Sequence, residues 1–594
     1  MEPVRKRGRS EVWEHFELLP SNKVKCLVCS QQLAYNNNTS SMLRHFRAKH
    51  ENIPCQSRTT LSSTQGIAYS FLLVYIFYPS SQQMLDSALV NMIVKDLQPF
   101  TIVDDAGFRE FVGILDPTYV IPSRKALKSM VEAKYTETKE KAKEEVQKAT
   151  AVSLTSDMWT SIHMDAYLAI TCHLINEKDE LSTFLLGVGK FPKSHSAENL
   201  AEVKTALMAE WGIQKKVRCL VTDAAPNMVA CAGLLKMRHT ICIAHALNLI
   251  VKKAIDQTPG LEHIRSKARK IAGYFRSSTT AKERLFQMQG QMGRPTLKLI
   301  QEVETRWNST FAMLQRMYQQ REPVGAALVT LKTDLTPLTS EEYHTINECL
   351  GVLSTFNEAT TELSEERRVS GSKVIPLIRM LRHALNTKQS QAQDEKSIQL
   401  CSNLFRLLND RVSSYETMSI MTLATLLDPR YKTVGFCSQS NAQAAVKRLT
   451  GECATVIRIQ EQQNTPSTSS ATSQPQLEAT VASSSTTPST GTPYETLFLL
   501  ITVMKINATA DATVEVQRYL SDPIIPRTED PLRFWASQKN VYPHLYHLAL
   551  EFLCTPASSV PCERIFSKAG EVVTKKRNQL NPSTVEKILF LNKN

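Results

Sequence analysis

The chain has 594 residues, of which 42% are hydrophobic and 21% charged, and its 70 Lys+Arg against 57 Asp+Glu give a formal charge of +13. At roughly 150 residues per domain this is about four domain-sized units, and the composition excludes a coiled-coil rod, a collagen and a wholly disordered chain. The basic excess favours an acidic partner, with nucleic acid first.

Residues 1–9 read as a basic tail, and Arg5-Lys6-Arg7-Gly8-Arg9 fits a nuclear import signal as well as a solvated terminus. No secretory signal opens the chain. The longest apolar run, Ile67 to Tyr78, is shorter than the roughly 20 residues a membrane-spanning helix needs, so no membrane partner is expected. The 13 cysteines, odd in number and scattered, suit reduced core thiols or metal ligands.

Residues 10–55 read as a small finger. Cys26-x2-Cys29 is followed after fifteen residues by His45-x4-His50, two thiolates and two imidazoles that suit tetrahedral Zn²⁺. A unit this short cannot hold a large core, so the metal would stabilise it directly. Lys23 and Lys25 precede the cysteines, and Arg44, Arg47 and Lys49 share a helix with the histidines. Asn37 lies in the polar run that opens that helix. Lys and Arg hold phosphates and Asn reads adenine edges, so double-stranded DNA is the expected ligand. A zinc staple for protein contact is the alternative.

Residues 56–83 read as a linker and 84–150 as a helical domain. In its Lys/Glu-dense tract, Glu137 with Lys141 and Glu144 with Lys148 stand four apart, which fits a solvated helix. Strands are expected at 151–157, 166–176 and 181–191, then a helix over 196–212 with Leu200, Val203, Leu207 and Trp211 on one face and Gly212 as its stop. A strand at 216–223 and a segment at 239–255, strand-like then helical, complete an α/β layer over 151–260. Helical periodicity dominates 261–460. Residues 461–493 read as a disordered insertion: positions 465–493 hold 16 Ser/Thr and 4 Pro in 29 residues, too little apolar area to order itself. Amphipathic helices return over 494–594, the last opened by Asn581-Pro582.

Asp157 ends the first strand of the layer and Asp223 the fourth, and in this order of elements those strands lie side by side. Two such carboxylates can share divalent ions, although Asp also caps helices and starts turns.

The sequence Ser10-Glu11-Val12-Trp13-Glu14-His15-Phe16 with its Cys2His2 set resembles a BED-type zinc finger. TSDMWTS (155–161), VTDAAPNM (221–228), CIAHALNLIV (242–251), VETRWNSTFAML (303–314) and PASSVPCERIFSKAG (556–570) resemble the hAT transposase superfamily, nearest its animal BED-finger branch. The resemblance implies an RNase H-like core interrupted by a large helical insertion. It adds Glu563 as a third acid beside Asp157 and Asp223, on Mg²⁺ or Mn²⁺ if the chain is catalytic. Cys242 and His245 match a Cys-x-x-His motif of the family, and Trp159, Arg306 and Trp307 fall in its motifs; the tryptophans and His245 fit core packing equally well. The C-terminal region mediates dimerisation in the family, which implies a homodimer or higher oligomer and points to Phe552, Ile565, Phe566 and Leu589; their stripes could instead close the core. The expected function is a nuclear, zinc-dependent DNA-binding protein on a dimeric hAT scaffold, a domesticated transcription regulator. The alternative is an active cut-and-paste transposase. SUMO-ligase activity is also attributed to the branch, but no RING-like metal site stands in the sequence.

Overall fold

The computed structural model describes residues 16–19, 23–35, 40–50, 81–161, 164–191, 193–464, 507–572 and 581–594. The basic tail, Trp13, Asn37, the apolar run 67–78, the Ser/Thr-rich stretch 465–493 and positions 573–580 lie outside these residues. Two compact units are present, Met1–Ser81 and Gln82–Asn594.

In the first unit, β1 (Phe16–Leu19), β2 (Lys23–Cys26) and β3 (Gln32–Ala34) form an antiparallel sheet, followed by α1 (Ser40–Lys49). Its buried apolar core is Phe16, Val24, Cys26 and Met42. That is too little apolar area to hold a fold alone, as the sequence implies.

The second unit opens with α2 (Ser81–Lys95), α3 (Ala106–Leu115) and α4 (Arg124–Lys148). On α4, Lys141 pairs with Glu137 as expected; Lys148 pairs with Glu145, one turn back, rather than with Glu144. The sheet follows. β4 (Val152–Thr160), β5 (Ala166–Ile175) and β6 (Leu181–Lys190) form an antiparallel meander. The crossover helix α5 (Ala197–Glu210) is capped by Ser196 and stopped at Gly212, whose φ of +67° is a left-handed conformation that glycine adopts without strain. β7 (Val217–Thr222) returns parallel to β4, and α6 (Pro226–Leu234) leads to β8 (His239–Ile241), giving the order β6-β5-β4-β7-β8. The sequence reading missed α6, whose start is set by Pro226 in the first turn. α7 (Ile243–Asp256) completes the first part of the layer.

Helices from Pro259–Ser277 through Pro543–Leu553 build the insertion, among them α8 (Trp307–Gln319). The chain then returns to the sheet through α9 (Val560–Val572) and α10 (Pro582–Lys593), the latter capped by Asn581. The overall class is mixed α/β, mostly helical, with an RNase-like layer and a large helical insertion, as expected. Among the described residues no helix is long and apolar enough to cross a membrane.

The return is tightly packed. The amide of Gly371 donates to the Thr555 carbonyl at 3.2 Å, and a Cβ at Gly371 would sit 2.4 Å from that oxygen. A contact this close requires glycine. Gly371→Ala is therefore expected to lower the melting temperature by several degrees. Gly451→Ala, in a helix with open space where the methyl would go, is expected to match or exceed the wild type by up to about 1 kcal/mol. Differential scanning calorimetry of both variants checks the pair.

Candidate functional site

The finger is built around a tight knuckle. Cys26 ends β2 and Cys29 lies in the following turn, closed by Ser30 N–H to the Cys26 carbonyl and Cys26 N–H to the Gln31 carbonyl, each 2.9 Å. His45 on α1 and His50 just beyond it face the thiols. Cys29 Sγ lies 3.2 Å from His45 Nε2 and Cys26 Sγ 3.4 Å from His50 Nε2. All four ligand atoms lie within 4.8 Å of one another. Tetrahedral zinc with Zn–S of about 2.3 Å and Zn–N of about 2.0 Å needs S···N edges of about 3.5 Å, so the set fits the ion. Burial, with the charges of His50 and Lys49, holds the His45 imidazole below its ordinary range and so keeps it neutral, the form that binds metal. Phe16 packs edge-on against His45, with ring centroids 5.9 Å apart.

Lys23 and Lys25 alternate with buried Val24 and project from the opposite face of β2. Lys23, Arg44 and Lys49 are exposed and Lys25 is half-buried. The side chain of Arg47 and all of Asn37 lie outside the described residues.

The acids occupy the second unit. Thr155 of β4 pairs with Val221 of β7 in parallel register. Asp157 lies two residues on, inside β4 rather than at its expected end because that strand runs to Thr160, and Asp223 directly follows the end of β7 at Thr222. The adjacency expected from the element order is present. Asp223 Oδ1 accepts from the Ala225 amide at 3.3 Å, which turns the chain into α6. Glu563 comes from the first turn of α9. Its neighbour Cys562 is buried against β4, with Sγ 3.2 Å from Thr155 Oγ1, and Thr155 shares a strand face with Asp157. Burial, with the charges of Glu563 and Asp223 added, pushes the Asp157 carboxyl up to about 7, against the pull of the Met158 amide 2.8 Å from Oδ1. The three acids thus share one electrostatic neighbourhood. Among the described residues, the finger ligands are the one group of three or more His, Cys, Asp or Glu side chains gathered closely enough to hold a metal ion.

Cys242 is a hub rather than an open ligand. It is buried, and its Sγ accepts from the amides of His245 at 3.5 Å and Ser559 at 3.3 Å, tying the start of α7 to the C-terminal motif. His245 itself is half-buried in the first turn of that helix, with Cys242 as the N-cap. Arg306 Nη2 lies 3.9 Å from Glu563 Oε2, with both side chains solvated. Trp307 is buried in the insertion core, and Trp159 stacks on Phe566 with centroids 6.0 Å apart. Both tryptophans pack cores, the plainer of their two readings.

Two residues escaped the sequence reading. Asn248 on α7 donates to the Thr305 carbonyl at 3.1 Å and accepts from the Trp307 amide at 2.9 Å, clamping the backbone on both sides of Arg306. Lys204 on α5 is 1% exposed, with Met228 Sδ 3.9 Å from its Nζ. Burial holds its ammonium below the ordinary lysine range, against the opposing pull of the neighbouring Cys231 thiol and the charge of Asp223. The signal for Lys204 was a charge four residues after Leu200, on the apolar face of its helix.

Phe552, Ile565, Phe566 and Leu589, expected at a dimer interface, are buried in the cores of this same chain. Their stripes pack against the sheet and the insertion. An interface built from them would have to open those cores.

A small finger with a four-ligand set and an RNase-like layer with a helical insertion are also what sequence comparison finds in this chain. Residues 10–51 match the BED zinc finger, 155–247 the ZBED1 RNase-like domain, 240–352 the ZBED1 RNase-like helical domain, and 515–594 the hAT family C-terminal dimerisation region. The chain aligns with relatives that are BED-finger proteins and hAT transposases. It is 27% identical to human zinc finger BED domain-containing protein 4, with 100% of this chain and 52% of that protein aligned. It thus spans about half the length of that relative. A maize protein whose name assigns it to the AC transposases is 24% identical, over 98% of this chain and 72% of its own. A Talaromyces stipitatus protein named as a transcriptional regulator is 22% identical, over 98% and 71%.

The environment of Asp157 has a consequence for stability. Its carboxyl titrates near 7 in the fold and near 3.8 when unperturbed, so the folded chain holds the extra proton between those values. Ionising it costs stability as pH rises through that window, and the cost persists above it. In chelator, Asp157→Asn is expected to melt roughly 5 °C above the wild type at pH 8 and level with it near pH 4. Thermal melts across pH check this.

Proposed function

We propose that this is a nuclear, zinc-dependent protein that binds double-stranded DNA through its finger, carries that finger on an oligomeric hAT scaffold, and acts as a transcription regulator. The observation that carries the reading is the four-ligand set with Lys23, Lys25, Arg44 and Lys49 around it. Zinc stiffens the knuckle and α1, so the basic side chains meet phosphates without first being ordered. Asn37 and Arg47 are assigned to the same surface by their place in the sequence. The dimerisation region supports self-association, which would present two fingers to one duplex. The regulator named among the relatives supports the regulatory role, and Arg5-Lys6-Arg7-Gly8-Arg9 supports nuclear import.

The test uses the full chain. Four phosphate contacts imply that DNA affinity falls about 100-fold between 50 and 200 mM salt. Removing zinc, or Cys29→Ser, should abolish that binding. Zinc-free protein that binds DNA as well as the zinc-loaded form would sink the reading.

One observation favours a second reading, metal-dependent DNA cleavage: Asp157, on the strand beside β7, feels the charges of both Glu563 and Asp223. These are the residues that would hold Mg²⁺ or Mn²⁺, which bind carboxylate oxygens while keeping several waters. Such ions supply an activated water and stabilise the leaving oxygen. On this reading Arg306, fixed by Asn248, draws a phosphate toward the acids. Nicking by the wild type that Asp157→Asn lacks, at equal DNA binding, would establish it. Equal inactivity would leave the regulator.

A further inference from the structure

α3 is an amphipathic helix with no fully buried residue. Its inner side chains, Phe108 and Val112, are half-buried, and Phe108 packs on the small core of Leu89, Val90, Ile93, Val103, Leu127 and Val131. Its outer face is apolar and open: Phe111 is 61% exposed, Ile114 75% and Leu115 68%, and Val120 in the following loop is 72% exposed. Residues three and four apart share a helix face, so Phe111, Ile114 and Leu115 form one patch, with Gly107 a turn earlier. Nothing lies within 4 Å of where a Cβ at Gly107 would stand, so the helix backbone is open to close approach there. The patch is rigidly held. Gln82 of α2 donates to the Val120 carbonyl at 2.8 Å and accepts from its amide at 3.2 Å, and Tyr119 donates to Asp86 at 2.9 Å.

The C-terminal helix of the dimerisation region docks on this module. Leu591 of α10 completes its core, Lys587 pairs with Glu132 at 2.8 Å, Phe590 meets Tyr135 at 5.0 Å, and Asn592 donates to the Val94 carbonyl at 2.8 Å. The matched dimerisation region and the α3 face are therefore parts of one body. The four C-terminal residues first assigned to the interface are spent inside that body.

We propose that the outer face of α3 is the contact between two copies of this chain, packed about a two-fold axis with Phe111, Ile114, Leu115 and Val120 against their counterparts. The proposal rests on the oligomeric reading above and names its surface. The face is apolar across Phe111, Ile114 and Leu115, with exposed Glu110 at its edge, and a two-fold contact sets such a patch against its own copy. The exposed side chains amount to roughly 400–500 Å² per chain, the size that marks an interaction site on a soluble protein. Doubled across the axis and given a polar rim, this reaches the lower end of stable interfaces, so dissociation in the micromolar range is expected.

Sedimentation equilibrium of the full chain, with its melting temperature measured in parallel, tests this. Wild type should be a dimer at micromolar concentration. Ile114→Lys with Leu115→Lys should raise the dissociation constant at least 30-fold and leave the melting temperature of the monomer unchanged, because both side chains are solvated in the single chain. A dimeric wild type whose variant dimerises equally well overturns the α3 surface alone. A monomeric wild type overturns the oligomeric reading and this proposal with it. A variant that melts well below the wild type would show that the chain's own residues cover the face, which also overturns it.

Discussion

The fold depends on a buried seam where the end of the insertion returns to the sheet. Ser153 of β4 bonds Thr555 across 402 positions at 2.9 Å, and Thr155 meets Cys562 at 3.2 Å. The Ile243 amide donates to the Ala557 carbonyl at 3.1 Å, the Ser559 amide to Cys242 Sγ, and Gly371 to Thr555. These are buried hydroxyl, thiol and backbone groups, so each partner lost would leave a buried polar atom unpaired at a cost of about 1–3 kcal/mol. The seam closes the loop made by several hundred residues of insertion. It also fixes the site, because Glu563 follows Cys562 directly.

The acid cluster shows the other side of that packing. The same burial that seats α9 against β4 raises the cost of charge on Asp157, and the nearby carboxylates raise it further. A buried lysine at position 204 and a solvated arginine at 306 are the cations close by. Neither is in ion-pair contact with Asp157. The arrangement is therefore held by the fold rather than by attraction among its members. The finger has the opposite character: its four-residue core contributes little, and its geometry is set by the ligands themselves.

The sheet was legible in the sequence because each strand is short, apolar and ended by a turn signal or an acid, and because parallel return through a helix leaves few possible orders. That order alone set the strand of Asp157 beside the strand that Asp223 follows. The zinc ligands were legible from spacing. Glu563 was not: no local rule joins a glutamate to strands some 400 residues earlier, and only the family resemblance named it. Asn248 was invisible because its role is a backbone clamp that spacing does not encode. For the residues assigned to the dimer interface, the sequence left two readings open. An apolar stripe says that a helix face is covered, not what covers it, and Phe552, Ile565, Phe566 and Leu589 are covered by their own chain. The open face lies on α3, a helix whose sequence carries no sign of which side is solvated.

The central claim is that α9 of a chain packs against β4 of that same chain and so carries Glu563 to Asp157. A cysteine crosslink measures this directly. Cys562 Sγ stands 3.2 Å from Thr155 Oγ1, within the reach of a disulfide between side chains at those positions. In Thr155→Cys, mild oxidation followed by digestion and mass spectrometry should yield one peptide joining positions 155 and 562, while the undigested chain runs at monomer mass in denaturant without reductant. Absence of that peptide, or its appearance only in covalently linked dimers, would contradict the account.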